Sequence, residues 1–361
     1  MLNLNFKAHL LKFFTKKHPV EFDVKNSKNV VFLRYDRIGD MVITTPVFRE
    51  LKRTYPHINV IVIASKINRC ILENNPFIDE VIINYKNNLL GDLLSLLKLR
   101  GRNLDVCVEF DHSVIPHAIL RLRIINPKKI ISVYKDGRYG VPGKELLMYD
   151  YFTKMPKNAH FRDVWLSTLE PFGVISKSNE YDIFCSDIQN NNARRFLGKY
   201  TKKILIGINL EGAVKGKKIQ YTQLQEICKG LYKFNKNIQI IILSSPSKRV
   251  SVQKQIVRMD FGFVTLSYKT KSIIDAAAII RYLHLIITPD TSIVHIASAF
   301  NKSIISIHED NLESYNLFAP TSEINKTIFS ESKDSLQDFS VDSILEAARE
   351  LLNIEGHNNF F

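Results

Sequence analysis

Charged residues follow directly after the first apolar run of the chain, in the segment RYDRIGDM at 34–41. The segment predicts a strand, a tight turn in which Gly39 supplies a backbone conformation that other residues resist, and a helix start. Asp40 falls where an N-cap belongs, and capping alone would explain an aspartate there. Alternatively, its carboxylate projects from the carboxyl end of the strand and accepts a proton from a substrate hydroxyl. Arg34 and Arg37 either bind an anionic acceptor or balance neighbouring carboxylates.

A second polar group ends a later apolar run, in IITPDTSIVH at 286–295. Asp290, Thr291 and Ser292 open a predicted helix, so hydroxyls and free backbone N–H groups meet the positive end of the helix dipole. Such a helix start suits a phosphate, although Ser and Thr also serve as plain N-caps. His295 lies four residues after Thr291 and hence on the same helical face, where a structural role is the common alternative.

A basic loop with two glycines, EGAVKGKK at 211–218, follows the apolar run ILIGINL. It resembles a Walker A loop only in part. Three residues rather than four separate Gly212 from Gly216, and Lys218 stands where Ser or Thr should hold magnesium. We therefore exclude a P-loop nucleotidase, and the lack of GxGxxG after the first run disfavours a nicotinamide dehydrogenase. A loop that brings backbone N–H groups and a lysine close to phosphates remains consistent with the pattern.

Short β-branched runs alternate with helical stretches, and many runs are apolar without alternation, as in parallel strands buried on both faces. The expected strands are 30–35, 60–64, 81–85, 106–110 and 130–133, and then 204–210, 238–243, 264–267, 285–288 and 304–307. The main expected helices are 41–54, 159–169, 187–200, 222–234, 291–300 and 341–353. The alternation predicts an α/β protein with two Rossmann-like doubly wound parallel-sheet domains that face each other across a cleft.

The expected domain limits follow from a break near 186–203. They are a basic amphipathic N-terminal segment at 1–27, a Rossmann-like domain at 28–185, a second at 200–330, and a helix with a tail at 331–361. Ligands in such sheets bind at the carboxyl ends of the strands.

The formal net charge of +14 over 361 residues suggests an anionic partner, namely nucleic acid, an anionic membrane surface or a phosphorylated substrate. The basic residues are dispersed and no nucleic-acid-binding module is recognisable, which disfavours the first. Four cysteines without a CxxC pair make a zinc site or a disulfide framework improbable and fit a reducing compartment. No apolar stretch reaches the length of a membrane span. The N-terminal segment either lies on a membrane surface or packs on its own protein.

Three segments together resemble glycosyltransferase family 9, the ADP-heptose:lipopolysaccharide heptosyltransferases. They are VVFLRYDRIGDMVITTPVFRELKRTYP at 30–56, NPFIDEVI at 75–82 and TPDTSIVHIASAFNKSIISI at 288–307. The resemblance covers roughly residues 28–325. It implies a GT-B fold, an inverting mechanism and no required metal or other cofactor.

The resemblance also implies roles for individual residues. Asp40 matches the catalytic aspartate of the family. Independently of the resemblance, we expect Arg34, Arg37 and Gly39 to contact the acceptor. Asp290, Thr291, Ser292 and His295 match the donor-binding motif of the family. In the middle loop the family usually has a Gly-Ala pair followed by Lys-Arg-Trp-Pro. Gly212-Ala213 is present here and Lys217 matches the family lysine, but Ile219-Gln220 stands where Trp-Pro would follow.

The expected function is therefore transfer of heptose from ADP-heptose to the lipopolysaccharide core. The expected location is the cytoplasm, peripherally on the cytoplasmic face of the inner membrane of a Gram-negative bacterium. Three alternatives remain open: a family 9 transferase that uses another nucleotide sugar, a nucleotide-sugar epimerase, which needs no acceptor, and a basic nucleic-acid-binding protein.

Overall fold

The computed structural model describes residues 3–84, 88–176, 178, 180–212, 218–332, 336 and 338–355, with side chains up to 352 in the last helix. The chain divides into two compact units, residues 1–179 and 180–361. The division lies before the break expected at 186–203, because the helix at 187–197 packs within the second unit. The segment 1–27 belongs to the first unit and the segment 331–361 to the second, since the helix of each segment packs on a helix of its unit.

The first unit is built on one parallel sheet. In chain order its elements are α1 (Leu4–Phe14), β1 (Asn29–Arg34), α2 (Ile38–Thr54), β2 (Asn59–Ser65), β3 (Glu80–Asn84), α3 (Leu89–Arg100), β4 (Val106–Glu109), α4 (Pro116–Ile125), β5 (Lys129–Ser132), β6 (Tyr151–Phe152) and α5 (Phe161–Leu166). The strand order is β3-β2-β1-β4-β5-β6.

The second unit repeats this plan. Its elements are α6 (Asp187–Leu197), β7 (Ile204–Asn209), α7 (Tyr221–Phe234), β8 (Ile238–Leu243), α8 (Arg249–Met259), β9 (Val264–Leu266), α9 (Ile273–Ile280), β10 (Leu285–Pro289), α10 (Ser292–Ala299), β11 (Ser303–His308), α11 (Leu312–Phe318), β12 (Asn325–Phe329) and α12 (Val341–Glu355). Counted from β9, its order β9-β8-β7-β10-β11-β12 is the same winding as in the first sheet.

The expected class, two doubly wound parallel-sheet domains, is confirmed. All ten expected strands are present within one or two residues of their expected ends. The central strands are almost wholly buried, because helices cover both faces of a parallel sheet. Two further strands, β6 and β12, extend the sheets at one edge each. Among the described residues, no helix is long and apolar enough to cross a membrane.

The winding fixes where ligands can bind in each unit. In each sheet the first three strands are added towards one edge and the next three towards the other edge. The order therefore reverses between β1 and β4 in the first sheet, and between β7 and β10 in the second. The loops after these strands therefore leave a crevice at the carboxyl edge of the sheet. The predicted residues at 34–41 begin at the last residue of β1, and those at 290–295 follow β10.

Candidate functional site

Arg34 ends β1 and is buried, with 3% of its side chain exposed. Its guanidinium lies 3.8 Å from the centre of the Trp165 ring, which α5 places over it. Its Nη1 atom is 3.0 Å from Asp36 Oδ2, and its Nη2 atom is 3.7 Å from Asp40 Oδ1. Arg34 thus balances two carboxylates, which was one of its two predicted roles, and leaves little surface of its own to an acceptor.

Asp40 is the third residue of α2, so its prediction as an N-cap is wrong. The N-cap is Arg37, which is extended and makes no side-chain capping bond. Gly39 is the second helical residue, so the predicted tight turn with an unusual glycine conformation is also wrong. The helix begins three residues earlier than expected, which puts the Asp40 carboxylate in the first turn, near the positive end of the dipole.

Burial raises the pKa of Asp40 above its usual value, and the nearby Asp36 charge raises it further. Arg34 and Arg37 act in the opposite direction. Asp40 keeps 15% of its side chain exposed, so a substrate can still reach it. A carboxylate with a raised pKa is a stronger proton acceptor than an ordinary aspartate, which suits a general base.

Asn68 holds the loop after β1 and was not foreseen from the sequence. Its amide Nδ2 donates to the carbonyl oxygen of Arg34 at 3.0 Å and of Asp36 at 3.4 Å. Its Oδ1 accepts from the Ser65 backbone N–H at 2.8 Å. The Asn68 side chain is fully buried, so an asparagine from the loop after β2 fixes the loop after β1 on its buried side.

A second carboxylate group follows β4, on the other side of the crevice. Glu109 is fully buried, forms an ion pair with Lys135, and accepts from Ser132 Oγ at 2.8 Å. Glu109 Oε1 also accepts from the Asp111 backbone N–H at 2.9 Å. The pair between Glu109 and Lys135 fixes the loop that carries Asp111 at the carboxyl edge of the sheet.

The groups of this second loop have strongly shifted pKa values. Burial, with the charge of Glu109, raises the pKa of Asp111 to about 8. Burial, with the charge of Lys135, lowers the pKa of His112 to about 4. Asp111 is therefore protonated and His112 neutral near pH 7. The charge of Asp36 also acts on Asp111 and that of Arg34 on His112, so the two loops share one electrostatic environment.

In the second unit, Thr291 is the N-cap of α10, and its Oγ1 accepts from the Ile293 N–H at 3.2 Å. Ser292 is the first helical residue, and Asp290 precedes the cap. His295 lies one turn into the helix and is 4% exposed, with its ring facing Tyr181 and Phe318. The predicted helix start is thus present, whereas the His295 ring offers little surface to a ligand.

Asn209, at the end of β7, connects the predicted donor residues and was not foreseen. Its Nδ2 lies 3.0 Å from Thr288 Oγ1 and 3.3 Å from Thr291 Oγ1. The same nitrogen donates to the Glu211 carbonyl at 3.0 Å. One buried amide therefore joins the end of β10, the start of α10 and the beginning of the basic loop.

The two ends of the basic loop, residues 211 and 218, lie next to each other at the carboxyl end of β7. Glu211 and Lys218 form an antiparallel bridge, and the Ile219 N–H donates to the Leu210 carbonyl at 3.1 Å. Gly212 follows directly on the bridge, so it lies on the same edge as the start of α10. The predicted donor residues Ala213 and Lys217 lie outside the described residues.

Neither group of side chains forms a metal centre. Within the described part of the chain, no group of three or more His, Cys, Asp or Glu side chains could hold a metal ion. The chemistry available from the described residues is proton acceptance by a carboxylate in the first unit. In the second unit it is hydrogen bonding to an anion by hydroxyl and backbone donors at the start of α10.

Comparison with known proteins gives consistent matches. The model of glycosyltransferase family 9 (heptosyltransferase) matches residues 122–347. The lipopolysaccharide core heptosyltransferase OpsX of Haemophilus influenzae is 24% identical over 284 residues, which cover 78% of this chain and 79% of that protein.

Two solved structures have the same fold. The glycosyl transferase family 9 protein from Veillonella parvula has a TM-score of 0.74 and 18% identity, covering 93% of this chain and 99% of that one. The ADP-heptose LPS heptosyltransferase II of E. coli has a TM-score of 0.71 and 15% identity, covering 91% and 99%. The expected GT-B fold is thereby confirmed.

Proposed function

Because this chain belongs to glycosyltransferase family 9 and is a glycosyltransferase, we propose that it transfers heptose from ADP-heptose to the lipopolysaccharide core. The observation that carries the proposal is the Asp40 carboxylate, which is partly exposed, has a raised pKa and lies at the carboxyl edge of its sheet. The names of two relatives, a lipopolysaccharide core heptosyltransferase and an ADP-heptose heptosyltransferase, support this choice of acceptor and donor.

The donor diphosphate would bind at the start of α10. Thr291 and Ser292 offer hydroxyls there, and the first backbone N–H groups of the helix point towards the same space. Asn209 orients the Thr291 hydroxyl by a bond of 3.3 Å. Asp290 and His295 complete the family motif, with His295 supporting the helix from its buried side.

The basic loop would supply the rest of the donor site. Gly212 and Ala213 would bring backbone N–H groups close to the diphosphate, and Lys217 would add a charge-assisted hydrogen bond. The departing ADP gains negative charge as the glycosidic bond to the diphosphate breaks. Oriented donors of this kind stabilise that charge without a metal ion.

The acceptor hydroxyl would be activated by Asp40. Its proton passes to the Asp40 carboxylate while its oxygen forms the new bond to the anomeric carbon. The bond from that carbon to the diphosphate oxygen breaks on the opposite face, and its electron pair leaves with ADP. The anomeric centre is thereby inverted through a transition state of oxocarbenium character. Arg34 would keep the Asp40 carboxylate oriented.

The acceptor would be held by basic groups near Asp40. Arg37 is exposed at the start of α2 and would bind phosphates or carboxylates of the core, with Gly39 giving the sugar close access to the backbone. The net charge of +14 favours such an anionic acceptor. We place the enzyme peripherally on the cytoplasmic face of the inner membrane of a Gram-negative bacterium, and assign it no role in binding nucleic acid.

The experiment is a transfer assay with a panel of donors. The enzyme is incubated with ADP-heptose, an ADP-hexose or a UDP-hexose, each with and without a truncated lipopolysaccharide core, and the products are identified by mass spectrometry. We expect release of ADP and a heptosylated core, only when donor and acceptor are both present. Faster transfer from another nucleotide sugar would reassign the donor, and conversion of the donor without an acceptor would favour the epimerase alternative.

A further inference from the structure

Helix α3 exposes a row of leucines. Leu89 is 82% exposed and Leu94 is 59% exposed, and Leu90, Leu93 and Leu97 are exposed as well. The opposite face of the helix packs inward through the buried residues Asp92, Leu96 and Leu99. A helix of twelve residues with five exposed leucines is far more apolar on its outer face than a solvated helix needs to be.

Helix α1, which packs on the same helix α4 as α3 does, exposes further apolar residues. Its exposed apolar residues are Leu4, Phe6, Leu10, Phe13 and Phe14. Leu11, on its inner face, belongs to the same apolar cluster as Leu96 of α3 and Leu122 of α4. Both α1 and α3 pack on α4. The exposed apolar residues of α1 and α3, with Leu120 of α4, are called here the apolar helix surface.

Most of the charged side chains on the two helices are basic, and one of them, Lys12, is ion-paired with Glu145 at 2.7 Å. The two helices carry Lys7, Lys12, Lys98 and Arg100, and their single acidic residue is Asp92. Asp92 is buried and forms an ion pair of 2.6 Å with a buried arginine of α4, so it presents no negative charge outside. Leucine and phenylalanine among lysine and arginine are the composition of helices that lie in the interface of an anionic bilayer.

We propose that the apolar helix surface docks on an anionic lipid bilayer, with α3 as its main contact and α1 as a second one. The leucine and phenylalanine side chains enter the boundary between headgroups and acyl chains, while the basic side chains contact the headgroups. The inference deepens the proposed function and rests on it for one point, that the acceptor is anchored in a membrane.

The docked surface is linked by hydrogen bonds to the end of a strand in the same sheet as the candidate base. Arg121 of α4 donates to Asn84 Oδ1 at the end of β3 at 2.8 Å and to Asp92 Oδ2 of α3 at 2.6 Å. Its guanidinium lies 4.8 Å from the Tyr35 ring, directly after β1. The start of α3 therefore lies at the same sheet edge as Asp40, because the ends of parallel strands meet there. Docking through α3 keeps that edge close to a membrane-anchored acceptor.

The test uses vesicles that contain neither lipopolysaccharide nor nucleotide sugar. The full chain is mixed with vesicles of phosphatidylglycerol and phosphatidylcholine, and bound protein is measured by flotation. Leu93→Gln/Leu94→Gln/Leu97→Gln is compared with Val250→Gln/Val257→Gln, a control on α8 at residues that are 70% and 65% exposed. Glutamine is a good helix former, so both variants should fold, which circular dichroism and thermal melting check.

We expect the α3 variant to lose about a thousandfold in its partition coefficient, because three leucines are replaced and each leucine that enters the interface contributes on the order of tenfold. The control should bind like the wild type, and Phe6→Gln/Phe13→Gln should lose binding to a smaller degree. Unchanged binding of the α3 variant, or no binding of the wild type, would overturn the proposal. So would a lipid-free dimer that the α3 substitutions dissociate, because the surface would then be a contact between copies.

The same variants separate this inference from the proposed function. With a short acceptor that is not anchored in a membrane, the α3 variant should transfer sugar at the wild-type rate. Loss of vesicle binding with intact transfer supports the docking surface. Vesicle binding without any transfer from ADP-heptose would refute the proposed function and leave the docking surface standing.

Discussion

Replacing Asp40 by asparagine separates a structural role from a catalytic one. Asparagine keeps the shape of the side chain but cannot accept a proton near neutral pH. The structure predicts a small effect on folding. The loss of a negative charge in the first turn of α2 costs about 0.3–1 kcal/mol. The pair with Arg34 is long, at 3.7 Å, and Arg34 keeps its closer carboxylate, Asp36, at 3.0 Å.

Burial of Asp40 works in the opposite direction. Since burial is the largest cause of its raised pKa, the charged carboxylate is disfavoured at this site, and a neutral amide avoids that penalty. We expect the free energy of unfolding to change by no more than about 1 kcal/mol. The rate should nevertheless fall by about 10²–10⁴, the usual cost of losing a general base.

The assay measures three quantities on Asp40→Asn: turnover with donor and acceptor, ADP affinity by calorimetry, and thermal stability. Turnover should be lost, while ADP affinity and stability stay close to the wild type, because the donor residues belong to the second unit. Asp36→Asn is the matched control, since Asp36 contacts the same arginine at 3.0 Å without a proposed proton transfer. An Asp40→Asn enzyme with more than about a tenth of wild-type turnover would refute the role of Asp40 as the base.

Three further predictions concern the two sites. Folding raises the pKa of Asp111 from 3.8 to about 8, so the native state keeps a proton that the unfolded chain releases, and the free energy of unfolding should fall as pH rises from about 4 to about 8. Urea titrations at several pH values measure this slope, and Asp111→Asn should flatten it. A slope that is unchanged in the variant would contradict the prediction. Asn209→Ala should lower the free energy of unfolding by about 1–3 kcal/mol and weaken ADP binding, because the hydroxyls of Thr288 and Thr291 lose their shared donor. Thermal melting measures the stability and calorimetric titration the ADP affinity. An unchanged ADP affinity would show that Asn209 does not support the donor site. Lys217→Ala should weaken ADP binding about ten- to a hundredfold, as expected for a charge-assisted bond of roughly 1.5–3 kcal/mol; Lys218→Ala is the control, and an effect of Lys218 alone would shift the alignment of the loop by one residue.

The sequence was sufficient for the strands that lie between two helix layers. Their apolar runs are long and without alternation, because both faces are buried. The strand at 325–329 was missed since its residues are mostly half-exposed and polar at the start, at the edge of the sheet. The strand at 151–152 has only two residues, too few for any pattern.

The start of α2 shows a different limit. Aspartate is a strong N-cap signal, so the helix was expected to begin after Asp40. In the structure Arg37 caps the helix without a side-chain bond, and nothing in the sequence marks that position. The error matters for function, because the Asp40 carboxylate lies inside the first turn of the helix and not at the N-cap position.

The supporting residues of both sites were beyond sequence reasoning. Asn68 and Asn209 act through hydrogen bonds to groups that are distant in the sequence: Asn68 binds the carbonyl of Arg34, and Asn209 binds the hydroxyl of Thr291. No spacing rule connects such residues, since their contacts depend on which loops meet at the edge of the sheet. Motif spacing therefore identifies residues that act within one loop more readily than those that join two loops.

The repeated winding of the two sheets has a consequence for how such enzymes diversify. Each unit has its own crevice and its own buried asparagine that fixes the loops beside it. Under the proposed function, substitutions around Arg37 can alter the choice of acceptor without disturbing the residues that hold ADP. A lineage can therefore acquire new acceptor sugars one substitution at a time while it retains its donor.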